Sequence, residues 1–214
     1  SPDYSPDAHY ATIAAAITDL NIRGISGNVT FNLTDLSYDE SASYPFNINA
    51  FPNSGNYTVT IKPNASGTTI SGSSASSIFN FTGTKYVTID GSSNGTSSKD
   101  LTISNSNAAG IAIISMSPSS SSADNEYITV KNCILSGNTS TTTASVVYSG
   151  SSTFGSPPLA RAKNILITGN TIMKSLYGIV FQGKSTTELD NGIWISNNTI
   201  GTATVGEGFS RNGI

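Results

Sequence analysis

The sequence has little charge, one cysteine, one histidine and no long apolar segment. Only 11% of the 214 residues are charged, and the formal net charge is −3. Nucleic acid and anionic lipid both attract basic clusters, so neither is expected as a partner. Cys133 has no second cysteine for a disulfide, and with His9 as the single histidine there is no Cys/His set for a metal. Since no apolar stretch approaches the roughly 20 residues that span a membrane, membrane insertion is not expected. Nothing in the sequence indicates a cofactor.

Short alternating runs of Ile and Val are set into a background of Ser, Thr, Asn and Gly. Two nine-residue segments share one pattern: residues 164–172 read NILITGNTI and residues 192–200 read GIWISNNTI. The alternation predicts a strand with one buried face, and the Asn that follows predicts a turn. The copies are 28 residues apart, a period typical of stacked-repeat proteins.

Weaker copies of the same strand occur upstream. The first apolar residues of all the copies fall at six positions: Val29, Val59, Val87, Ile128, Ile165 and Ile193. We interpret them as six successive turns of an all-β parallel solenoid, two of them lengthened by loops of about ten residues. Each turn is expected to have three short strands, so that three long parallel sheets surround a narrow core.

A short amphipathic helix is predicted near the start of the chain, over 12–21. Ile13, Ala16, Ile17 and Leu20 share one face, and Thr12 is a suitable N-cap. The first turn of a solenoid would otherwise expose its apolar end to water. We therefore divide the chain into a lead-in and capping helix over 1–24 and a solenoid over 25–214, and we expect the solenoid to continue beyond residue 214.

The repeat and its turns also resemble a known family. The Asn-Thr-Ile turn at Asn170 and Asn198, with the opening segment 10–17, resembles the right-handed parallel β-helix of the pectin-lyase-like superfamily. The segment 87–92 and the Ser/Thr/Asn-rich loops are similar to repeat regions of large secreted bacterial surface proteins. The resemblance implies a secreted protein located outside the cell or at its surface.

Lyases of that superfamily commonly carry clustered acidic residues and a basic residue on the outer face of the first sheet. Here the outward positions of the predicted sheet hold one carboxylate, Asp90, with Lys62 and Lys131. One carboxylate does not make a hard-cation site or the carboxylate pair of a glycoside hydrolase. The pattern GSSNG over 91–95 matches a serine-hydrolase elbow but lies in a predicted loop without a histidine partner. We therefore expect no catalytic residues.

The turn asparagines are predicted to be structural. Stacked Asn side chains can hydrogen-bond from turn to turn, and Asn tolerates left-handed backbone angles. We predict that Asn132, Asn170 and Asn198 form one ladder along the solenoid.

Binding residues are expected at the edge where the loops 117–126, 150–163 and 183–191 leave the third strand of each turn. The candidates are Phe154, Arg161, Lys163, Glu188, Asp190 and Trp194. A solvated rim of mixed charge is the alternative interpretation. Trp194 and Leu166 would form an outward apolar pair, which we expect the loop 150–163 to cover.

Two functional hypotheses remain open. The first is a non-enzymatic extracellular β-helix that acts as a stalk, adhesin segment or filament building block, with end-to-end self-association or surface glycans as partners. The second is a carbohydrate-binding or polysaccharide-degrading protein that uses the loop edge near Trp194. The second hypothesis requires that Trp194 be exposed and that carboxylates converge near it.

Overall fold

The computed structural model of the chain describes residues 8–117, 123–139, 141–204, 206–211 and 213–214. Residues 1–7 of the predicted lead-in and 118–122 of the predicted edge loops lie outside the described residues. The chain forms an all-β parallel solenoid with an N-terminal helix, α1 (Ile13–Arg23), as the sequence predicts.

Three parallel sheets form the solenoid, and their strands are numbered in chain order. The first sheet contains β1 (Val29–Leu33), β4 (Val59–Pro63), β7 (Val87–Asp90), β11 (Thr129–Lys131), β15 (Leu166–Thr168) and β18 (Trp194–Ser196). The second contains β2 (Ser37–Tyr38), β5 (Thr68–Gly72), β8 (Leu101–Asn105), β12 (Cys133–Ser136), β16 (Thr171–Met173) and β19 (Thr199–Ile200). The third contains β3 (Phe46–Asn49), β6 (Phe79–Thr82), β9 (Ile114–Met116), β13 (Ser145–Ser149) and β17 (Tyr177–Phe181).

A two-stranded sheet at the corner before the first sheet was not predicted. It pairs β10 (Asn125–Glu126) with β14 (Ala162–Lys163). Two-residue strands carry too little alternation to be detected in a sequence.

The predicted register of the first sheet is confirmed. Val29 pairs with Val59 and Val59 with Val87, and the later turns continue the same alignment through Thr129, Leu166 and Trp194. Each of the six predicted apolar positions therefore lies directly above the one before it. The register follows from the alternation, because a shift of one residue would turn every inward side chain outward.

The predicted count of six three-stranded turns is wrong. Four turns have three strands of at least three residues each. In the first turn β2 has two residues, and in the last turn β18 and β19 are the strands found among the described residues. In the first turn, β1 and β3 have five and four residues, so only its second strand falls short of the prediction.

The core is a continuous column of inward side chains. Ile61, Ile89, Val130 and Ile167 are at most 1% exposed, whereas the equivalent Phe31 and Ile195 in the end turns are half-buried. Burial of each such side chain stabilises the fold by about 1.5–3 kcal/mol.

Helix α1 covers the core at the first turn. Its buried face is formed by Ile13, Ala16, Ile17 and Leu20, and Thr12 accepts a hydrogen bond from the Ala15 backbone N–H, as predicted for an N-cap. Glu40, which the sequence analysis did not single out, accepts hydrogen bonds from the backbone N–H groups of residues 13 and 14 at 2.7 and 3.0 Å. An anionic side chain is favourable there because it satisfies orphan donors at the positive end of the helix.

Candidate functional site

The predicted asparagine ladder occupies two columns instead of one. Thr168 pairs with Lys131 and with Ser196, so the next residues, Asn132, Gly169 and Asn197, share a column. These three have φ values of 57°, 68° and 55°. Asn170 and Asn198 lie one position later, level with Cys133. The predicted alignment of Asn132 with Asn170 and Asn198 in one ladder is therefore wrong. The left-handed corner position accepts Asn or Gly, so an Asn in the sequence does not show which of the two columns it occupies.

The side chains of Asn170 and Asn198 hold the corner between the first and second sheets. Asn170 Oδ1 accepts from the Cys133 backbone N–H at 2.9 Å, and its Nδ2 donates to the Val130 carbonyl at 2.9 Å. Asn198 repeats this one turn later, because its Oδ1 accepts from the Asn170 N–H and its Nδ2 donates to the Ile167 carbonyl. Each side chain thus satisfies backbone groups of the preceding turn.

Arg161 and Lys163 lie together at the corner before the first sheet. The guanidinium of Arg161 is 2.9 Å from Asp124 Oδ2, and the Lys163 ammonium contacts the same oxygen at 2.5 Å. Glu126 lies between Lys163 and Lys85, at 3.8 and 3.2 Å from their ammonium nitrogens. We refer to Lys85, Asp124, Glu126, Arg161 and Lys163 as the corner network. Its two carboxylates are shared among three cations, so every charge contacts an opposite one and the network carries one net positive charge.

The corner network controls the pKa of the Asp124 carboxyl. Burial acts to raise this pKa, but hydrogen bonds from Lys163 and Arg161 outweigh burial and hold the pKa well below its usual range. Asp124 is therefore a permanent anion near neutral pH, unsuited to proton transfer.

Asp190 and Glu188 take part in different contacts. Glu188 pairs with Lys184 at 3.0 Å. Asp190 Oδ1 accepts a hydrogen bond from the Ala162 backbone N–H at 2.7 Å, while its Oδ2 is buried without a partner in the described part of the chain. Burial, with a smaller contribution from Asp124, raises the pKa of the Asp190 carboxyl.

Phe154 belongs to an aromatic cluster on the outer face of the third sheet. Its ring lies 4.9 Å from the ring of Tyr148 and 5.7 Å from that of Tyr177. The Gly155 N–H donates to the Tyr148 hydroxyl at 3.2 Å, so the loop is held down over this side chain. Tyr148 points outward in the strand and is nevertheless fully buried.

The expected cover over Trp194 and Leu166 is not found. The loop 150–163 packs over Tyr148 of the third sheet, and Trp194 remains 68% exposed on the first sheet. Leu166, directly below Trp194 in the register, is half-buried. The six candidates thus separate. Arg161, Lys163 and Asp190 meet at one corner, and Glu188 pairs with Lys184. Phe154 lies on the third sheet and Trp194 on the first.

On the outer face of the first sheet, Asp90 is enclosed by donors. Asp90 Oδ2 is 3.0 Å from the Lys131 ammonium, and Oδ1 accepts from Asn132 Nδ2 and the Ser92 N–H, both at 3.0 Å. In the segment 91–95, which matches the serine-hydrolase pattern, the central Ser93 hydroxyl donates a hydrogen bond to the Asp100 carboxylate at 2.6 Å.

Across the described ranges, no group of three His, Cys, Asp or Glu residues could hold a metal ion. No helix in the described part of the chain is long and apolar enough to cross a bilayer.

The geometry defines the class of the molecule as a parallel β-solenoid with three sheets and an N-terminal helix. Comparison of the chain with protein-family models, with curated proteins and with solved structures finds no match.

Proposed function

We propose that this chain is a non-enzymatic structural or adhesive module outside the cell, acting as a stalk, adhesin segment or filament building block. We place it among right-handed parallel β-helices of the pectin-lyase-like type, near the repeat regions of secreted bacterial surface proteins. Three features support this placement: the three parallel sheets, the corner held by the Asn170 and Asn198 side chains, and the low fraction of charged residues.

The observation that carries the proposal is that the acidic side chains of the first sheet and the corner contact other groups of the chain. Asp90, Asp124 and Glu126 each contact a lysine or an arginine, and Asp190 caps a backbone N–H. A hydrolase needs two carboxylates facing one substrate, with room between them for a sugar or water. The contacts of these carboxylates stabilise the fold, which supports a structural role for them over a catalytic one.

A rigid spacer has a fixed length, which can be measured. Thr30 and Trp194 occupy one column at the two ends of the first sheet, five strand spacings apart, or about 24 Å. Spin labels on Thr30→Cys and Trp194→Cys, in a Cys133→Ala background, should give a narrow distance distribution. A distribution broad enough to indicate separating turns would contradict the spacer proposal.

The non-enzymatic part of the proposal is tested by turnover. The chain should release no reducing ends and no unsaturated products from a panel of neutral and acidic polysaccharides, with or without added calcium. Turnover that disappears in an Asp124→Asn or Asp190→Asn variant would replace the proposal with the polysaccharide-degrading alternative.

A second candidate, carbohydrate binding at Trp194, is favoured by one observation. Trp194 is largely exposed, and the hydroxyls of Thr168 and Ser196 form a hydrogen-bonded row at 3.0 Å on the same sheet. An exposed indole beside hydroxyls suits stacking against a sugar ring. Retention on polysaccharide resins that Trp194→Ala abolishes would establish this candidate.

A further inference from the structure

The loop between the first and second sheets in the third turn, residues 91–100, contains an exposed Asn-Gly pair, Asn94 and Gly95. In such a pair the backbone nitrogen of the glycine can attack the side-chain amide of the asparagine, because no Cβ shields the nitrogen. The attack closes a cyclic succinimide and releases ammonia. The same pair occurs at 191–192 and at 212–213, and residue 212 lies outside the described residues. The pair at 191–192 therefore provides an internal comparison.

The Asn94 amide is folded back alongside the Gly95 peptide. Its Oδ1 accepts a hydrogen bond from the Thr96 backbone N–H at 3.0 Å, and Gly95 lies between these two residues. The Gly95 N–H makes no hydrogen bond to any described residue, and a Cβ at Gly95 would meet no atom within 4 Å. The attacking nitrogen thus has no competing partner and lies beside the amide that it attacks, which is the proximity that speeds an intramolecular reaction.

Donors from two residues converge on the oxygen that becomes negatively charged in this reaction. Asn94 Oδ1 accepts from the Thr96 hydroxyl at 2.6 Å and from the Ser92 hydroxyl at 2.9 Å, in addition to the Thr96 N–H. Ser92 is fully buried, so its hydroxyl is held in place. When the Gly95 nitrogen adds to the amide carbon, electrons move onto Oδ1. Donors already arranged around a developing oxyanion stabilise the transition state.

The comparison pair is held in a different way. The backbone N–H of Asn191 donates to the Ala162 carbonyl at 3.2 Å, and its carbonyl accepts from the Asn164 N–H at 2.9 Å. A Cβ at Gly192 would come within 2.5 Å of Asn164 Oδ1, so the glycine is crowded. Ring closure requires rotation of the asparagine backbone, which would break both bonds at Asn191. The backbone of Asn94 makes no such bond to the described residues.

We propose that Asn94 and Gly95 form a self-modifying site, at which the chain converts Asn94 into a mixture of aspartate and isoaspartate. Hydroxide removes the Gly95 N–H proton, and the nitrogen forms a bond to Asn94 Cγ. The Cγ–Nδ2 bond then breaks, and Nδ2 takes a proton from water and leaves as ammonia, which restores the hydroxide. Water adds to either carbonyl of the succinimide and opens the ring. The net reaction consumes one water and releases one ammonia, with no oxidation or reduction.

The modification adds one negative charge to the loop and leaves the sheets as they are. Asn94 and Gly95 belong to no strand and are both exposed. An aspartate at position 94 keeps an acceptor for the donors of Ser92 and Thr96, while an isoaspartate lengthens the main chain by one atom. A surface loop outside the strand ladders can absorb that atom. The inference goes beyond the proposed structural role and does not depend on it.

The test compares the folded chain with the same chain unfolded in urea. After incubation at pH 8, peptide mapping by mass spectrometry measures conversion at Asn94 and Asn191, and chromatography separates the aspartate and isoaspartate peptides. In urea the two pairs should react at similar rates, which gives the intrinsic rate of the Asn-Gly sequence. In the folded chain Asn94 should react at least as fast as in urea, whereas Asn191 should react about tenfold or more slower. Both products should form at position 94, because direct hydrolysis without the ring gives aspartate only.

Thr96→Val tests the donors around Oδ1. It removes the hydroxyl but keeps the branched shape and the backbone N–H, so conversion of Asn94 should slow by about 3- to 10-fold without a fall in Tm. Thr102→Val, on the outer face of the second sheet, is the matched control and should leave the rate unchanged. The proposal is overturned if Asn94 stays intact, if it reacts more slowly in the folded chain than in urea, if aspartate is the sole product, or if Thr96→Val speeds the reaction. The last outcome would show that the hydrogen bonds restrain the amide instead of activating it.

Discussion

The Asp190 carboxylate accepts a hydrogen bond from the Ala162 N–H at 2.7 Å, just as Asn125 accepts one from the Thr84 N–H at 3.2 Å. All four residues lie in one column, because Lys85 pairs with Glu126, Glu126 with Lys163, and Lys163 with Asn191 in the adjacent column. Asn125 also donates its amide N–H to the Phe81 carbonyl, whereas Asp190 has no proton to donate when ionised. Asp190 is therefore a corner cap at a position where asparagine is better suited.

Asp190→Asn should stabilise the chain at pH 7 by about 1 kcal/mol, since it removes a buried charge and adds a donor. Because the folded-state pKa of Asp190 is raised, the wild-type chain loses stability as pH rises from about 4 through that pKa. In urea titrations at several pH values, the gain in unfolding free energy from the substitution should therefore develop over the same pH interval. Glu188→Gln, at an exposed pair, serves as a control and should change stability by less than about 0.5 kcal/mol. A loss of stability in Asp190→Asn at pH 7 would refute the capping role.

Asp124→Asn should destabilise the chain at pH 7, in contrast to Asp190→Asn. The pKa of Asp124 is lowered in the folded chain, so its contribution is fully present above about pH 4 and is lost as pH falls toward the folded-state pKa. We expect a loss of about 2 kcal/mol at pH 7 that shrinks in acid, measured by urea unfolding at several pH values. Glu207→Gln, which removes the partner of Lys174 at 3.1 Å, is the matched surface control. A loss that is independent of pH would show that packing, and not charge, is the contribution of Asp124.

The sequence was sufficient for the fold class and the register of the first sheet because each turn repeats one alternating strand. Val59, Ile89 and Val130 are followed or flanked by polar residues in their strands, and this alternation sets which face is buried and so fixes the register. The site residues lack such a signal. Tyr148 has an outward position and is buried by a loop that no local pattern predicts, while the cover expected over Trp194 lies elsewhere.

Asn170→Ala should be among the most damaging single substitutions at the corners. The side chain is fully buried and bonds to Cys133, Val130 and Asn198, so its removal leaves several polar groups without partners. We expect a loss of about 3 kcal/mol or more in urea unfolding. Asn132→Gly, in the left-handed column, should cost less because glycine suits its φ of 57°. Equal losses for the two variants would contradict the assignment of different columns.

Cys133 should be unreactive in the native chain. Burial, with a smaller contribution from Asp90, raises the pKa of this thiol far above its ordinary value, so the thiolate is scarce as well as inaccessible. A thiol reagent at pH 8 should label it only as fast as the chain opens, and the labelling rate should rise with urea. A Thr30→Cys variant provides an exposed thiol that should react at once. Rapid labelling of Cys133 without denaturant would show that the second sheet opens readily.

The vertical alignment of Ile128 with Ile165 also bears on how such a chain can change over generations. Loss of residues 129–165 would join Ile128 to Leu166 with every following side chain still facing the same way, whereas loss of one residue would invert the strand that contains it. Each turn contacts mainly its neighbours, so a missing turn removes a layer and leaves the remaining layers able to stack. The length of such a solenoid can therefore change from one generation to another by whole turns.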